Sequence, residues 1–253
     1  MADAETVKSD LESRDAFDRG SYATFRYATA AAAGDGYFQR LQRRKDDIVA
    51  QYATGARVLD LCCGEGAHVA ALAQARYRVG GDISQRLLRG AKTGPGLAFV
   101  NCNARTLPFA SGSFDLVYAL SALYLIPKIG DVVSEIARVL APCGRAVLDL
   151  GNRNSLNALV CRTMPELLPL QVFDVRGTRR MLREAGFTIE SHFAFQVLPL
   201  WGNNPRWLRP LLFPIWTRLM ALRLGGHMLD EWLASLPILR QCAFRHIFVC
   251  RKK

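Results

Sequence analysis

The segment Val58 to Gly66, VLDLCCGEG, carries the residue types that hold a ligand against a protein backbone. An apolar run ends in an acid, Asp60, and continues into a turn in which Gly64 and Gly66 allow a ligand to approach main-chain atoms closely. A second acid, Asp82, ends the next apolar run, where its carboxylate can accept two hydrogen bonds from ribose hydroxyls. The pattern predicts a ribose-containing cofactor, with capping of the following helix by Asp82 as the plainer alternative.

A parallel sheet is the element that would bring these two acids together. Short apolar runs alternate with helical patterns along the chain, and the runs are ARVLDL, YRVGGD, LAFVN, FDLVYAL and GRAVLDL. Strand, helix and strand repeated at this spacing predict right-handed crossovers and a mostly parallel sheet covered on both faces. Ligands bind such open α/β sheets outside the carboxyl ends of the strands, where Asp60 and Asp82 fall.

Nicotinamide-dependent enzymes share this strand, turn and helix arrangement. Their fingerprint is G-x-G-x-x-G/A, in which the third small residue permits close packing of helix and strand. Counting from Gly64 gives Gly66 and then Val69. A branched side chain occupies the third place, so the sequence argues against a nicotinamide cofactor.

Several motifs in a fixed order resemble the class I S-adenosylmethionine-dependent methyltransferases, in particular the group that includes quinone-biosynthesis methyltransferases. VLDLCCGEG is similar to their first motif, GGDIS to the second-strand motif, and NARTLPFASGSFDLVYA to the region of strands three and four. EIARVLAPCGRAVL resembles the helix and turn before strand five, LREAGF the start of strand six, and FRHIFVCRK strand seven. The resemblance implies an open, mostly parallel seven-stranded sheet of the Rossmann-like type, with the last strand antiparallel and helices on both faces.

S-adenosylmethionine is the cofactor that this resemblance implies. The contacts expected by resemblance are Asp60, Cys62, Gly64 and Gly66 with its amino-acid part, Asp82 with the ribose, Ile83, Asn103 and Ala104 with the adenine, and Ala119 and Ser121 near the reactive methyl. Relatives carry an acid that accepts from the adenine amino group where this chain has Asn103. An amide oxygen can still accept that hydrogen bond, so we expect binding to survive the difference.

Methyl transfer of this type mainly needs two reactants held in near-attack geometry. If the nucleophile is a hydroxyl or an acidic carbon, a general base must lie within hydrogen-bond reach, and Tyr124 and His192 are the candidates. A histidine in an apolar stretch such as SHFAF is also typical of a buried core residue. Tyr22, Phe25 and Tyr27 resemble the lid that these enzymes fold over the cofactor, with helix packing as the alternative.

Other chemistries find less support in the sequence. Methyltransferases of exocyclic base nitrogens typically have Asn-Pro-Pro-aromatic after strand four, where this chain reads ALSALYL. Cys143 follows Pro142 in a turn where relatives have Pro-Gly-Gly, so we interpret it as a turn variant rather than a nucleophile. The adjacent Cys62 and Cys63 point in different directions and make a poor metal pair, so no metal is expected.

The segment 191–229 contains no acidic residue and concentrates arginine and tryptophan. Its members are Arg206, Arg209, Arg218 and Arg223, with Trp201, Trp207 and Trp216. Trp and Arg beside aliphatic residues suit a boundary between an apolar and an anionic, wet environment, as at a membrane surface. They also suit a lid over an apolar substrate. Packing or a dimer contact is nearly as well supported, and nucleic acid is the least favoured partner.

Composition indicates a folded chain with an uneven charge. Half of the 253 residues are apolar and 22% are charged, which excludes wholesale disorder. Residues 151–253 carry 15 Lys and Arg against 6 Asp and Glu, so most of the net charge of +11 lies there. The acidic first residues, and the lack of a long uncharged apolar run, predict a cytoplasmic protein, with peripheral membrane attachment as an alternative. The seven cysteines are expected as free thiols.

The sequence predicts three parts and one reaction class. The parts are an N-terminal helical lid over 1–50, a cofactor-binding α/β core over 51–190 and 240–253, and a hydrophobic basic insertion over 191–239. The reaction is methyl transfer from S-adenosylmethionine to an oxygen or carbon of a hydrophobic small molecule such as a quinone, polyketide or lipid precursor. A structured-RNA methyltransferase and a non-catalytic assembly or scaffold protein remain as alternatives, and no oligomeric state is indicated.

Overall fold

A computed structural model of the chain describes residues 36–163, 171–199, 206–212 and 214–253. The proposed lid residues Tyr22, Phe25 and Tyr27 lie outside the described residues, as does Trp201. The fold and the site below are therefore built from the remaining ranges.

Nine strands are described, and seven of them form one sheet. Their bounds are β1 Arg57–Leu61, β2 Tyr77–Asp82, β3 Leu97–Asn101, β4 Phe114–Ala119, β5 Leu140–Gly151, β6 Phe187–Phe195, β7 Arg223–Leu224, β8 His227–Met228 and β9 Arg245–Lys252. The large sheet has the order β3-β2-β1-β4-β5-β9-β6, and β7 pairs with β8 separately. All pairings in the large sheet are parallel except those of β9 with β5 and β6. The predicted mostly parallel, seven-stranded sheet with an antiparallel last strand is confirmed.

Helices cover both faces of this sheet. Their bounds are α1 Tyr37–Ala50, α2 Ala67–Ala71, α3 Gln85–Leu88, α4 Ile129–Val139, α5 Leu156–Arg162, α6 Val175–Glu184, α7 Pro214–Met220, α8 Leu229–Ser235 and α9 Pro237–Cys242. Two 3₁₀ turns span Leu123–Leu125 and Arg206–Leu212. None of the described helices is long and apolar enough to cross a membrane.

The core has two halves because successive strand side chains point to opposite faces. In β1, Val58 joins the cluster under α1, whereas Leu59 joins the cluster under α4. Helix α4 repeats apolar residues at helical spacing, including Val132 and Ile136, and buries that stripe. Both halves therefore hold the strand ends, and the side chains that follow them, in fixed positions.

Helix α1 packs directly on the sheet and is tied to distant parts of the chain. The Tyr37 hydroxyl donates to Asp230 Oδ2 at 2.6 Å, and Arg44 Nε lies 3.0 Å from Glu231 Oε2. Strand β6 extends to Phe195, so it takes up five residues that the sequence assigned to the 191–239 insertion. Between residues 36 and 50, the predicted lid region thus contributes a core helix.

Candidate functional site

The turn after β1 has an unusual backbone. Cys62, Gly64 and Gly66 all have positive φ, at 64°, 58° and 76°. The amide of Cys62 donates to Gly81 O of β2 at 2.7 Å, which fixes the start of the turn. Gly66 precedes α2, and a Cβ there would clash with the ring of Phe99. Glycine at this position lets β3 and the turn come into close contact.

Asp82 at the end of β2 organises the two loops beside it. Its Oδ2 accepts from Gly64 N and its Oδ1 from Ser84 N, each at 2.8 Å. Helix α3 is capped by Ser84 itself, whose hydroxyl accepts from Leu87 N, so Asp82 does not serve as that cap. Each carboxylate oxygen has a second lone pair, so Asp82 can also accept from ligand hydroxyls.

A cleft opens beyond the carboxyl ends of the first four strands. Five of the expected contact residues line it, namely Cys62, Asp82, Ile83, Asn103 and Ala104. Apolar walls come from Leu87, Leu125 and Ile126. Of the other expected contacts, Asp60, Gly64 and Gly66 lie at or just after the end of β1, and Ala119 and Ser121 at or just after the end of β4. The structure thus brings the predicted set to one edge of the sheet.

Among the described residues, three buried polar atoms at this edge make no hydrogen bond of good geometry, namely Asp60 Oδ2, the hydroxyl of its β4 neighbour Tyr118, and Asn103 Nδ2. Asp60 is 3% exposed, its Oδ2 lacks a well-aligned donor, and burial raises its pKa to about 7 although His68 and the Tyr118 hydroxyl act to lower it. An ammonium group brought by a ligand would supply that donor and hold the carboxylate ionised. Asn103 Oδ1 already accepts from Arg105 N at 3.0 Å, whereas its buried Nδ2 has no acceptor. The amide therefore offers a donor to an adenine ring nitrogen, whereas the sequence predicts a contact through its oxygen.

A second constellation lies at the ends of β4 and β5, and we call it the buried cationic cluster: Lys45, Ser121, Tyr124, Asp149 and Arg245. Lys45 Nζ donates to Ser121 Oγ at 2.5 Å and to Asp149 Oδ2 at 3.2 Å. Arg245 donates to the same carboxylate oxygen at 2.8 Å and to the Tyr124 hydroxyl at 3.2 Å. The candidate base Tyr124 is thus fully buried against a guanidinium.

The charges of this cluster do not balance. Lys45 and Arg245 are 2% and 5% exposed, and they share the single carboxylate of Asp149, which is 0% exposed. Burial lowers the pKa of Lys45 to about 8. Burial alone would raise the pKa of Asp149, but Arg245 and Lys45 outweigh it and lower that pKa. Within the cluster one positive charge is therefore in excess, and the nearest further buried carboxylate that the hydrogen bonds connect to it is Asp230, through Gln196.

The excess charge predicts a pH-dependent stability. The folded chain releases the Lys45 proton above about pH 8, whereas the unfolded chain keeps it to about pH 10.5. The folded state is therefore destabilised below pH 8 and recovers as the pH rises. Between about pH 7.5 and about pH 9.5 the free energy of unfolding should rise by about 2 kcal/mol more in the native chain than in Lys45→Met. Urea unfolding at both pH values measures this, and equal slopes would contradict a buried, charged Lys45.

His192, the second candidate base, lies away from both the cleft and the cationic cluster. It lies on the edge strand β6, in register with Phe248 of β9, and its ring stacks on that of Phe248. Its Nδ1 is 3.0 Å from Arg179 Nη2 and its Nε2 is 2.8 Å from His246 Nδ1, so both ring nitrogens are engaged. Burial and the neighbouring cations lower its pKa to about 2. The structure does not bring His192 to the cleft, and it describes a neutral, stacked imidazole.

Sequence reasoning missed three members of the cationic cluster, although two of them left a signal. Asp149 ends the run AVLDL, which repeats the pattern that drew attention to Asp60. Lys45 falls on the buried stripe of α1, four residues after Leu41. Arg245 begins β9 and carries no local signal, because its role depends on the pairing of β9 with β5.

Cys62 yields a prediction about backbone strain. A non-glycine residue with a φ of 64° is strained by roughly 1–2 kcal/mol. Cys62→Gly should therefore raise the free energy of unfolding by about 0.5–1 kcal/mol after the entropy cost of glycine, and Cys62→Val should lower it. The matched control is the buried neighbour Cys63, whose φ is not positive and where glycine should only destabilise. A loss of stability in Cys62→Gly equal to that in Cys63→Gly would contradict the strain.

The aromatic and basic segment is partly exposed. Trp207 is 68% exposed and Ile215 is 67% exposed, whereas Trp216 is half-buried and donates to Pro210 O at 2.7 Å. Arg206, Arg218 and Arg223 are exposed as well. Of the two predicted tryptophans that the structure describes, Trp207 is thus exposed to a partner and Trp216 packs on its own segment.

Comparison with known proteins supports the resemblance. Residues 59–148 match the family described as "Methyltransferase domain". An uncharacterized methyltransferase of Synechocystis is 38% identical over 130 residues, covering 49% of this chain and 59% of that protein. A demethylmenaquinone methyltransferase of Lactococcus lactis is 38% identical over 104 residues, covering 37% and 41%. The chain spans about half the length of these two relatives.

The fold has solved counterparts as well. The chain aligns with a chain of the solved complex between the Haloferax volcanii Trm112 methyltransferase activator and a methyltransferase. The TM-score is 0.63 at 18% identity, and the alignment covers 94% of this chain and 96% of that one. At this identity the likeness shows the fold alone. The fold and the match to the methyltransferase family both indicate S-adenosylmethionine as the cofactor to test at this site.

Proposed function

We propose that this chain, which carries a methyltransferase domain over residues 59–148, transfers a methyl group from S-adenosylmethionine to an oxygen or carbon of a hydrophobic small molecule. When bound, the cofactor supplies an electrophilic methyl on a sulfonium sulfur. One observation carries the proposal: two buried polar atoms, Asp60 Oδ2 and Asn103 Nδ2, make no hydrogen bond of good geometry within the described residues. Along the chain, the Asp82 carboxylate comes between them. In chain order, Asp60 needs a donor and fits the amino-acid part of the cofactor, Asp82 accepts from the ribose, and Asn103 donates to the adenine.

Each residue has a defined task in this proposal. Asp60 holds the ammonium of the amino-acid part, and the resulting ion pair keeps its carboxylate ionised at neutral pH. Asp82 accepts from the ribose hydroxyls while it holds the amide of Gly64. Ile83 and the apolar wall residues exclude water from the adenine side.

An apolar acceptor is supported by the walls of the site and by one relative. The turn after β4 places Leu123 and Leu125 in the core and leaves Ser121 partly exposed beside them. The Lactococcus lactis relative is named for demethylmenaquinone, an apolar ring compound. Tyr124 is the side chain that we assign as general base or orienting hydroxyl, because its oxygen lies in the cationic cluster at this end of the sheet.

Cofactor binding and acceptor class are tested separately. S-adenosylmethionine should raise the melting temperature, because it binds only the folded state, and NAD should not. Stabilisation by NAD to the same degree would overturn the cofactor assignment. With methyl-labelled cofactor, label should pass into solvent-extractable quinols and not into structured RNA. Transfer to RNA, with an affinity that falls steeply with salt, would establish the RNA alternative instead.

A peripheral membrane contact is the second proposal, and exposed apolar side chains beside arginines support it. Vesicles containing anionic lipid should bind the chain, and binding should fall as salt rises. Trp207→Ser should weaken vesicle binding by about 1–2 kcal/mol, because it removes from the apolar contact the most exposed ring among the described residues of segment 191–229. The control is Tyr77→Ser, which replaces an exposed aromatic at the start of β2, remote in sequence from this segment, and should leave binding unchanged. Absence of vesicle binding by the native chain would remove the proposal.

A further inference from the structure

We propose that the buried cationic cluster binds the acidic hydroxyl of the methyl acceptor as its anion, which makes the acceptor a phenol or an enol. The inference rests on the proposed function and specifies the acceptor for the same site. The proton lost on ionisation passes to solvent, so of its two proposed roles Tyr124 here has that of the orienting hydroxyl and not that of the base. Lys45, Asp149 and Arg245 are then acceptor-positioning residues, and the Tyr124 hydroxyl lies beside them.

The location of the cluster is the first support. Ser121 follows β4 and Asp149 lies near the end of β5, the edge at which ligands bind open α/β sheets. Ser121 is the partly exposed member, and the next residue, Ala122, lines the cofactor cleft. Ser121 also has a φ of 61°, a strained conformation of the kind that concentrates at ligand sites. Ser121 therefore joins the cluster to the chain segment that lines the cleft.

The charge of the cluster is the second support. Two cations against one carboxylate leave one positive charge in excess within the cluster, and the next buried carboxylate, Asp230, is separated from Arg245 by Gln196, which is hydrogen-bonded to both. A structural ion pair would need only one of the cations. Helix α1 is already tied down by Tyr37 to Asp230 and by Arg44 to Glu231, so its attachment does not require Lys45. An anionic ligand oxygen would neutralise the cluster.

The hydrogen bonds of Asp149 select the kind of anion. Its Oδ2 accepts from Lys45, from Arg245 and from the amide of Ser121, whereas its buried Oδ1 has no partner among the described residues. A hydroxyl can donate to Oδ1 before it ionises, and its oxygen can then accept from the Lys45 ammonium. A carboxylate is already ionised when it enters, so it never has a hydrogen for Oδ1 and meets the charge of Asp149 on approach, whereas a hydroxyl enters neutral and meets that charge only after it has ionised beside Lys45. The cluster thus fits an ionisable hydroxyl better than a carboxylate.

The test uses 4-nitrophenol, whose absorbance reports its own ionisation, with the full chain in the presence and absence of S-adenosylmethionine. At a pH where the free probe is mainly neutral, the native chain should raise the phenolate absorbance in a saturable way. Lys45→Met should weaken this binding about tenfold or more, because a charge-assisted hydrogen bond is lost. Lys45→Arg should preserve the shift, and it serves as the folded variant if Lys45→Met is unstable.

A matched control is available on the same helix. Arg43 is an exposed residue of α1, and Arg43→Met removes the same charge without touching the cluster, so it should bind the probe like the native chain. Equal probe binding by Lys45→Met and Arg43→Met, or no saturable signal with the native chain, would overturn the inference. Calorimetric titration with S-adenosylmethionine is read in parallel. Normal cofactor binding without a probe signal rejects only the acceptor assignment, whereas absent cofactor binding rejects the proposed function.

Discussion

Asp82→Ala is expected to lower the affinity for S-adenosylmethionine by about 2–3 kcal/mol, or roughly 30- to 150-fold. The variant removes the acceptor for the ribose hydroxyls and also frees the amide of Gly64, which then loses its 2.8 Å bond to the carboxylate. The glycine turn is thereby less well ordered before binding. Titration calorimetry measures the affinity directly.

The neighbouring cap residue is the control for this change. Ser84→Ala removes the hydroxyl that caps α3 but leaves the Asp82 carboxylate in place. It should cost about 1 kcal/mol of stability and change the cofactor affinity little. If Ser84→Ala weakened binding as much as Asp82→Ala, the effect would lie in the order of the loop and not in the ribose contact.

Asp149→Asn is expected to reduce the free energy of unfolding by about 3–5 kcal/mol, the largest stability effect that the structure predicts. The amide keeps the shape of the side chain but leaves Lys45 and Arg245 buried without a counter-charge. Lys45→Met alone should be close to neutral, because it removes the uncompensated charge and leaves a one-to-one pair. Urea unfolding of both single variants makes the comparison.

The double variant sharpens this test. Adding Lys45→Met to Asp149→Asn should restore part of the lost stability, because one of the two stranded cations is gone. Strict additivity of the two single effects would show that Lys45 and Asp149 do not interact. Such a result would contradict the 3.2 Å contact between them.

The sequence predicted the cofactor edge because its residues are local to strand ends. Asp60 and Asp82 each close an apolar run, and parallel pairing of β1 with β2 brings such ends together whatever the intervening helix does. The glycine turn could be predicted as well, because its conformation depends on residues that are close together in the sequence. These features required the order of the strands but no details of packing.

The cationic cluster could not be predicted in the same way. Lys45 and Asp149 are 104 positions apart, and Arg245 lies 96 positions after Asp149. Their meeting depends on α1 crossing the sheet and on β9 lying next to β5, which no local pattern encodes. His192 shows the reverse case. The sequence offered this histidine as a candidate base, but it lies on the edge strand β6 and stacks on Phe248 of β9.

The position of β9 has a consequence for how the protein is made. The ribosome produces β9 after every other strand of the large sheet, yet β9 occupies an interior place between β5 and β6. Until then β6 has no partner in the sheet. Tyr37 of α1 likewise cannot form its hydrogen bond before Asp230 is made, 193 positions further along the chain. Nascent chains therefore present an unpaired β6 and an uncovered apolar face from the synthesis of β6 until β9 follows about 50 positions later. Slow translation or early stops in this gene region would expose that surface to chaperones and proteases before the sheet can close.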